Sequence, residues 1–176
     1  MRATGATAAW YLVYNVVLDL GALACLPFWL GARLLRGRYR GQFAERMGVL
    51  APELLARFGD SGALWAHAAS AGETSSAVPL LHALRAMHPD RPILFTVTSR
   101  YGKEMAQRRL GDVVDAICFS PLDLPWFCRR FLRRVRPALY LMIETDLWPN
   151  LVRLAKGSGA RVVVCLLYTS PSPRDS

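Results

Sequence analysis

Two segments of this chain are the most informative about its fold, Trp65-Ala-His-Ala-Ala-Ser-Ala-Gly-Glu73 and Leu141-Met-Ile-Glu-Thr-Asp-Leu-Trp-Pro-Asn150. In each segment a short apolar run, typical of a buried strand, stops abruptly, and a glutamate stands where a helix is about to begin. Open α/β sheets bind ligands in the crevice at the carboxyl ends of their parallel strands. We therefore expect Glu73 and Glu144 to lie at a ligand-binding edge of a sheet.

Strands and helices alternate regularly along the chain around these segments. The apolar runs predict strands at 63–67, 93–97, 116–119, 138–143 and 161–164. The stretches between them predict helices at 74–87, about 101–109, from the loop at 121–125 through Val135, and about 148–156. Residues 43–58 have the pattern of a short amphipathic helical region broken at Gly48. Strict alternation with helices of about ten residues indicates an α/β fold with a doubly wound parallel sheet, which we assign to residues 37–164.

The composition is that of one folded domain with an appendage. Hydrophobic side chains make up 53% of the 176 residues and charged ones 20%, which is too apolar for a disordered chain. The formal net charge of +9 is concentrated in two arginine blocks, at Arg33, Arg36, Arg38, Arg40 and Arg46 and at Arg129, Arg130, Arg133, Arg134 and Arg136. Such blocks either bind phosphate, on lipid or nucleic acid, or form solvated helix faces. The cysteine and histidine spacings predict no metal site and no disulfide framework.

The first 35 residues have the composition of a membrane segment, unlike the rest of the chain. From Ala8 to Leu35 the sequence is almost continuously apolar, and this run exceeds the roughly 20 residues that a spanning helix needs. Four residues oppose a straight, deep span: Asn15, Asp19, Gly21 and Pro27. A transmembrane span and a monotopic or partly embedded hairpin both stay open. Positive charge follows the run, which disfavours a cleaved signal peptide, so we assign 1–36 to a membrane anchor with a cytoplasmic carboxyl flank.

Glu73 has a catalytic and a structural interpretation. An ionised carboxylate at a helix N-terminus could accept the proton of an attacking alcohol, and the small residues before it leave room for a substrate. Ser70-Ala-Gly-Glu73 also matches a capping box, in which both side chains only satisfy helix-end amides. Capping by Ser70 would place Pro79 inside the helix at a cost of about 3 kcal/mol, so we expect the helix to begin at Thr74 to Ser76. The catalytic interpretation requires a carboxylate that is open to the cleft and not folded back onto its own backbone amides.

Among the other candidates, Glu144 and the segment 96–99 also have two interpretations. Glu144 ends an apolar strand, where a structural ion pair and a catalytic role are equally consistent with its position. Asp146 is expected to cap the helix that follows through Pro149. Thr96-Val-Thr-Ser99 could cap a helix or contact a ligand, with capping favoured, and His67 is expected to be a core histidine at a strand end. No dinucleotide-binding or P-loop glycine motif is present in the sequence.

The final residues break the alternation. Cys165-Leu-Leu-Tyr-Thr-Ser-Pro-Ser-Pro-Arg-Asp-Ser176 has a Ser/Pro run where the next helix is expected, and the run resembles a translated sequencing adaptor. We expect residues 165–176 to be a tail that is not native, with a short natural linker as the alternative. On the first interpretation, the natural sequence continues differently after about Val164.

Five motifs together resemble the family of Kdo transferases, the enzymes that transfer 3-deoxy-D-manno-octulosonic acid (Kdo). The motifs are Phe43-Ala-Glu-Arg-Met-Gly48, His67-Ala-Ala-Ser-Ala-Gly-Glu73, Pro79-Leu-Leu-His-Ala-Leu-Arg85, Pro121-Leu-Asp-Leu-Pro125 and Ile143-Glu-Thr-Asp-Leu-Trp-Pro-Asn150. The resemblance implies the Rossmann-like N-terminal domain of a two-domain glycosyltransferase-B fold. It also implies inverting, metal-independent transfer from CMP-Kdo to a lipid A precursor at the bacterial inner membrane, with no cofactor.

The resemblance also implies roles for individual residues. Glu73 matches the family's catalytic base, and Glu144 matches a second acidic residue that supports the transition state. The N-terminal domain of the family receives the phosphorylated lipid acceptor. On this basis we place acceptor binding at Ser70, Ala71, Gly72, Thr98, Ser99 and Arg46, with the arginine blocks facing the acceptor's phosphates and the anionic membrane surface.

One departure from the family concerns the donor. In the family, CMP-Kdo is held mainly by a C-terminal domain that this chain does not contain, so we expect the chain alone to transfer no sugar. A competing hypothesis is a non-catalytic, membrane-tethered module that binds anionic lipid through its basic face. Nucleic-acid binding is a third hypothesis, disfavoured because the helix from Arg129 to Arg136 lacks an aromatic stacking platform and a membrane segment precedes the domain.

Overall fold

The computed structural model describes residues 5–35, 40–58, 62–144 and 146–166, with side-chain surroundings for residues 8–27 and from residue 41 onward. The expectations for the arginines at 33–40 and for the tail at 167–176 lie outside these described side chains. The elements in chain order are α1 (Gly5–Leu35), α2 (Arg40–Arg46), α3 (Pro52–Leu55), β1 (Leu64–Ala68), α4 (Ala71–Met87), β2 (Ile93–Val97), α5 (Arg100–Leu110), β3 (Ala116–Phe119), α6 (Pro125–Val135), β4 (Leu139–Ile143), α7 (Pro149–Gly157) and β5 (Arg161–Cys165).

The sheet has five strands in the order β3-β2-β1-β4-β5, and every neighbouring pair is parallel. The chain runs from β1 outward to β3 and then returns to β4 on the other side of β1. This reversal makes the β1–β4 boundary the topological switch point of a doubly wound, Rossmann-like sheet. The predicted α/β class is therefore confirmed, and all five strands lie within one residue of their predicted bounds.

Each face of the sheet carries its own core, because successive strand residues point to opposite sides. On one face Trp65 stacks on Tyr140, with ring centroids 3.8 Å apart, and it also contacts Phe131 of α6. On the other face Phe95 and residues of α4 and α5, including Leu81, are fully buried. The apolar runs of the central strands are thus explained by burial on both faces.

Helix α1 packs along the domain through one stripe and exposes the rest of its surface. The half-buried positions recur at helical spacing, at Tyr11, Tyr14, Asn15, Leu18, Asp19 and Ala22. The opposite face is apolar and open to solvent, with Trp10 75% and Leu12 67% exposed. Residues Ala8–Pro27 are long and apolar enough to cross a membrane, although length and composition alone are weak evidence for a span. The helix continues through Gly21 and Pro27, so the hairpin alternative is wrong for this segment.

The polar residues of α1 dock it on the domain. The Tyr14 hydroxyl donates to Asp123 Oδ2 at 2.8 Å, and the Asn150 amide donates to Asn15 Oδ1 at 2.7 Å. The buried Asp123 also accepts the backbone N–H groups of Asn150 (2.9 Å) and Leu151 (2.7 Å), which open helix α7. Burial raises the pKa of Asp123, and these N–H and O–H donors oppose the rise. Asp123 therefore caps α7 from a distant loop and ties it to α1.

Gly48 provides a test of how α2 is held against α6. Its φ is +72°, and a Cβ at this position would lie 2.5 Å from the Phe127 carbonyl oxygen. We expect Gly48→Ala to lower the free energy of unfolding by about 2–4 kcal/mol, through left-handed strain and this clash. Gly157→Ala is the control, since nothing lies within 4 Å of its added Cβ and its φ is ordinary. Urea unfolding in mild detergent measures both variants, and equal midpoints would contradict the packing described.

Candidate active site at the switch point

The carboxyl ends of β1 and β4 lie side by side, since the two strands pair from Leu64 with Leu139 to His67 with Met142. The turn after β1 leads to Glu73, and Glu144 is the first residue after β4. Both predicted glutamates are therefore brought to the same edge of the sheet, at its switch point. Ligands of open α/β sheets bind at such a position.

Glu73 takes part in capping helix α4. The helix begins at Ala71, the Glu73 N–H donates to Ser70 Oγ at 3.2 Å, and the Ala69 N–H donates to Glu73 Oε2 at 2.7 Å. The expected helix start at Thr74 to Ser76 is wrong. The reciprocal cap satisfies helix-end donors, and the helix buries Ala77 and Leu81 on the sheet, which together outweigh the cost of Pro79 inside it.

The same contact changes what Glu73 can offer a ligand. Its carboxylate accepts the backbone N–H of Ala69, so the expectation that this side chain is not folded back onto its own backbone amides is wrong. The hydrogen bond engages Oε2 only, and Oε1 has no hydrogen-bond partner among the described residues. The residue is half-buried, not enclosed. Because a carboxylate accepts through both oxygens, the cap holds the group in one orientation while Oε1 can still accept a proton.

Glu144 sits in an unusual backbone conformation. Its φ is +63°, in the left-handed region that side chains other than glycine rarely adopt. Its N–H donates to the Cys165 carbonyl at 2.9 Å, which holds the turn against β5. The residue is half-buried at the cleft. Strained residues of this kind cluster at functional sites, so the conformation supports a functional role for Glu144 without identifying it.

Asp146 is the site residue whose role the sequence pattern missed. The expectation that it caps α7 is wrong, because Asp123 performs that function. Instead Asp146 Oδ2 accepts hydrogen bonds from Thr98 Oγ1 at 3.2 Å and from Trp148 Nε1 at 3.1 Å, and it lies 3.3 Å from His67 Nε2. The bond to His67 is the main cause that lowers the pKa of Asp146. Asp146 thereby joins strand β1 to the loops that follow β2 and β4.

His67 is fully buried, as expected for a core histidine, but it is also part of this network. Its Nδ1 lies 2.9 Å from the Thr96 hydroxyl, which accepts the Trp65 indole N–H at 2.8 Å. With the ring proton on Nε2, His67 donates to Asp146 and accepts from Thr96. His67 and Asp146 both follow or end strands at the switch point, and that placement was the signal available in the sequence.

The residues assigned to acceptor binding lie around the same edge. Ser70, Ala71 and Gly72 form the cap and first turn of α4, and the Ser99 N–H donates to the Ala69 carbonyl at 3.1 Å. Ser99 also caps α5 by accepting the Gly102 N–H, so the favoured capping interpretation is confirmed for Ser99. Thr98 contacts Asp146 instead.

Arg46 reaches this edge from α2. Its guanidinium donates to the Thr98 carbonyl and lies 4.5 Å from the centroid of the Phe119 ring. Burial lowers the pKa of Arg46. The second arginine block is placed elsewhere, on α6, where Arg129, Arg130, Arg133 and Arg134 are exposed.

The fold and site define a class: a Rossmann-like α/β domain with acidic residues at the switch point of its sheet. Residues 41–166 match the family described as 3-deoxy-D-manno-octulosonic-acid transferase (kdotransferase). The chain belongs to this family. The predicted family is therefore confirmed.

Three relatives illustrate the match, all of them 3-deoxy-D-manno-octulosonic acid transferases by name. The Haemophilus influenzae protein is 35% identical over 152 residues, which cover 81% of this chain and 33% of the relative. The Bordetella pertussis protein is 34% identical over 161 residues, covering 84% and 35%. A probable mitochondrial enzyme of Arabidopsis thaliana is 34% identical over 152 residues, covering 84% and 32%. The chain thus spans about a third of the length of these relatives.

The lowered pKa of Asp146 predicts how stability depends on pH. A carboxyl whose pKa is lower in the folded state stabilises the fold above its unfolded pKa of about 3.9, and this contribution is lost as pH falls through the folded value. Asp146→Asn should cost about 1–3 kcal/mol at neutral pH, because a charge-assisted acceptor is replaced by a neutral amide. The variant should also lose less stability than the parent below about pH 4.

Urea unfolding in mild detergent from pH 7 to pH 3 measures both effects. The exposed Asp90 is the control, and Asp90→Asn should reproduce the parent curve. An Asp146→Asn curve that runs parallel to the parent at all pH values would refute the coupling.

Proposed function

We propose that this chain is the acceptor-binding part of an inverting glycosyltransferase that moves Kdo from CMP-Kdo to a lipid A precursor during lipopolysaccharide synthesis. The family match over residues 41–166 carries the proposal. The position of Glu73 and Glu144 beside the switch point supports it. We further propose that no metal or cofactor takes part, as the resemblance implies.

In this proposal Glu73 is the general base. Its Oε1 accepts the proton of an acceptor hydroxyl while that oxygen forms a bond to the anomeric carbon of Kdo. The bond from that carbon to the CMP phosphate breaks on the opposite face, so the configuration inverts and CMP leaves with the electron pair. The Ala69 N–H on Oε2 is compatible with this role, because it leaves the second oxygen without a hydrogen-bond partner among the described residues.

Glu144 is proposed to support the transition state. Positive charge develops on the sugar ring as the leaving group departs, and a nearby carboxylate favours that charge. Hydrogen bonds hold the loop that carries Glu144.

The acceptor is proposed to lie across the first turns of α4 and α5. Ser70, Ala71 and Gly72 leave space for a sugar, and Thr98 and Ser99 offer hydroxyl groups close to the helix ends. Helix N-termini and arginine favour anionic groups. Arg46 is thus the proposed partner of an acceptor phosphate, and it is held close to Thr98 by its bond to the carbonyl.

We place the domain at the cytoplasmic face of the bacterial inner membrane. The exposed apolar face of α1 and the exposed arginines of α6 support attachment to an anionic bilayer. Tyr14 and Asn15 are hydrogen-bonded to Asp123 and Asn150 of the domain. We therefore propose that α1 lies along the bilayer surface with its middle turns against the domain. We also propose that nucleic acid is not a partner of this domain.

The same surface features favour the second candidate, a non-catalytic module that binds anionic lipid. In that case the glutamates would have only structural roles, and their replacement would change neither lipid binding nor sugar transfer. The Ser70–Glu73 cap is the observation in its favour.

Glu73→Gln in a family enzyme that carries this domain together with its donor-binding half separates the two candidates. The amide oxygen of glutamine can still accept the Ala69 N–H, so the cap and the fold should survive, whereas the proton acceptor is lost. We expect the turnover number to fall by about 10²–10⁴ with little change in binding of the lipid acceptor. Glu53→Gln, at an exposed position outside the cleft, is the control. Full activity of Glu73→Gln would exclude the proposed base.

The chain by itself is predicted not to transfer Kdo. An assay with CMP-Kdo and a lipid A precursor should detect binding of the acceptor but no product, because the donor is proposed to be held mainly by the C-terminal domain of the family enzymes. Turnover by this chain alone would contradict the proposal that donor binding depends mainly on the C-terminal domain.

A further inference from the structure

An apolar groove runs between α1 and the rest of the domain. Its volume is about 700 Å³, within the range of about 300–1,000 Å³ of ligand sites. Leu18, Ala22 and Leu26 of α1 contribute to one wall, and Met47, Trp126 and Trp148 contribute to the other. The carboxylates of Asp19 and Asp123 are the charged groups of the lining. The Asp123 carboxylate is already engaged by α7 and Tyr14.

We propose that this groove binds an acyl chain of the lipid acceptor. The inference rests on the proposed function and deepens it, since it assigns a place to the apolar part of a substrate whose sugar lies at Glu73. Burial of methylene groups between two apolar walls is favourable in proportion to the area removed from water.

The groove adjoins the candidate active site through shared residues. Trp148 lines the groove, and its indole N–H donates to Asp146 at 3.1 Å. Met47 also lines the groove, while its neighbour Arg46 on α2 donates to the Thr98 carbonyl. A lipid with its chain in the groove would therefore bring its head to Arg46 and Thr98.

Arg46 directly precedes the groove residue Met47, and a cation in this position favours a lipid with an anionic head over an apolar peptide segment. Helix α6 contributes Trp126 and Phe127 to the wall, and exposed arginines follow directly at Arg129, Arg130 and Arg133. An apolar slot with a cation next to one of its lining residues suits a chain that carries phosphate at one end. We commit to the acceptor lipid as the occupant. Bulk bilayer lipid and a second copy of the chain are outcomes that the test must separate.

We expect Gly21→Phe to fill the groove and to leave the fold intact. Gly21 lines the groove, nothing lies within 4 Å of an added Cβ, and a helical glycine is replaced by a better helix former. Gly157→Phe is the matched control, because its added Cβ also meets nothing within 4 Å and the residue lies at the end of α7, outside the groove lining. Circular dichroism and urea unfolding first establish that both variants are folded.

The first readout uses the longer family enzyme with two acceptors, the acylated lipid A precursor and its deacylated glycan phosphate. Gly21→Phe should raise KM for the acylated acceptor at least tenfold, since several buried methylenes are lost at about fourfold in affinity each. Its kcat, and both constants for the deacylated acceptor, should stay unchanged. Gly157→Phe should match the parent throughout. An unchanged KM for the acylated acceptor in Gly21→Phe would overturn the proposal.

The second readout does not depend on activity. A fatty acid with a photoreactive diazirine, used as the probe, should label Met47, Trp126 or neighbouring groove residues in the parent chain and not in Gly21→Phe. Labelling confined to the outer face of α1, crosslinks between two copies at the groove, or labelling with no effect on KM would each overturn the assignment. Should Glu73→Gln prove fully active while groove labelling and the KM effect persist, the proposed base fails and the acyl site stands.

Discussion

The parallel pairing of β1 with β4 is the contact on which the candidate site depends. It sets two strands that are more than seventy residues apart in sequence side by side, and it brings the turn before Glu73 next to the turn at Glu144. The pairing is stabilised from the core, where Trp65 of β1 stacks on Tyr140 of β4. It is stabilised at the site by His67 of β1 and Asp146 after β4. The candidate site is thus built on paired strands, and the two glutamates follow the ends of these strands within a few residues.

A second set of contacts relates the site to α1. Asp123 caps the first turn of α7, and the same carboxylate accepts the Tyr14 hydroxyl. The loop with Glu144 and Asp146 enters α7 directly, so the N-terminal helix is joined to the loop by a short path of buried hydrogen bonds. The side of α1 that makes these contacts also walls the apolar groove. One helix thereby contacts the domain, frames a groove next to the site and exposes an apolar face.

The sequence was sufficient for the strands and the fold class, because strands that are buried on both faces leave continuous apolar runs bounded by polar turns. Both glutamates were also placed correctly at the sheet edge. The failures came from competing or non-local interactions. The start of α4 was misplaced because the penalty for Pro79 was weighed above the Ser70–Glu73 cap. The role of Asp146 was missed because its partner His67 lies on β1 and its partner Thr98 directly follows β2. Local sequence patterns do not reveal such contacts, and α7 is capped from Asp123 instead.

The central claim is that Glu73 can accept a proton from the acceptor although its other oxygen caps α4. A crystal structure of a longer family enzyme with a bound acceptor tests it most directly. We expect the Ala69 N–H to remain on Oε2 and the acceptor hydroxyl to lie about 2.6–3.2 Å from Oε1. A carboxylate with both oxygens on backbone amides, and the hydroxyl bound to another group, would contradict the account.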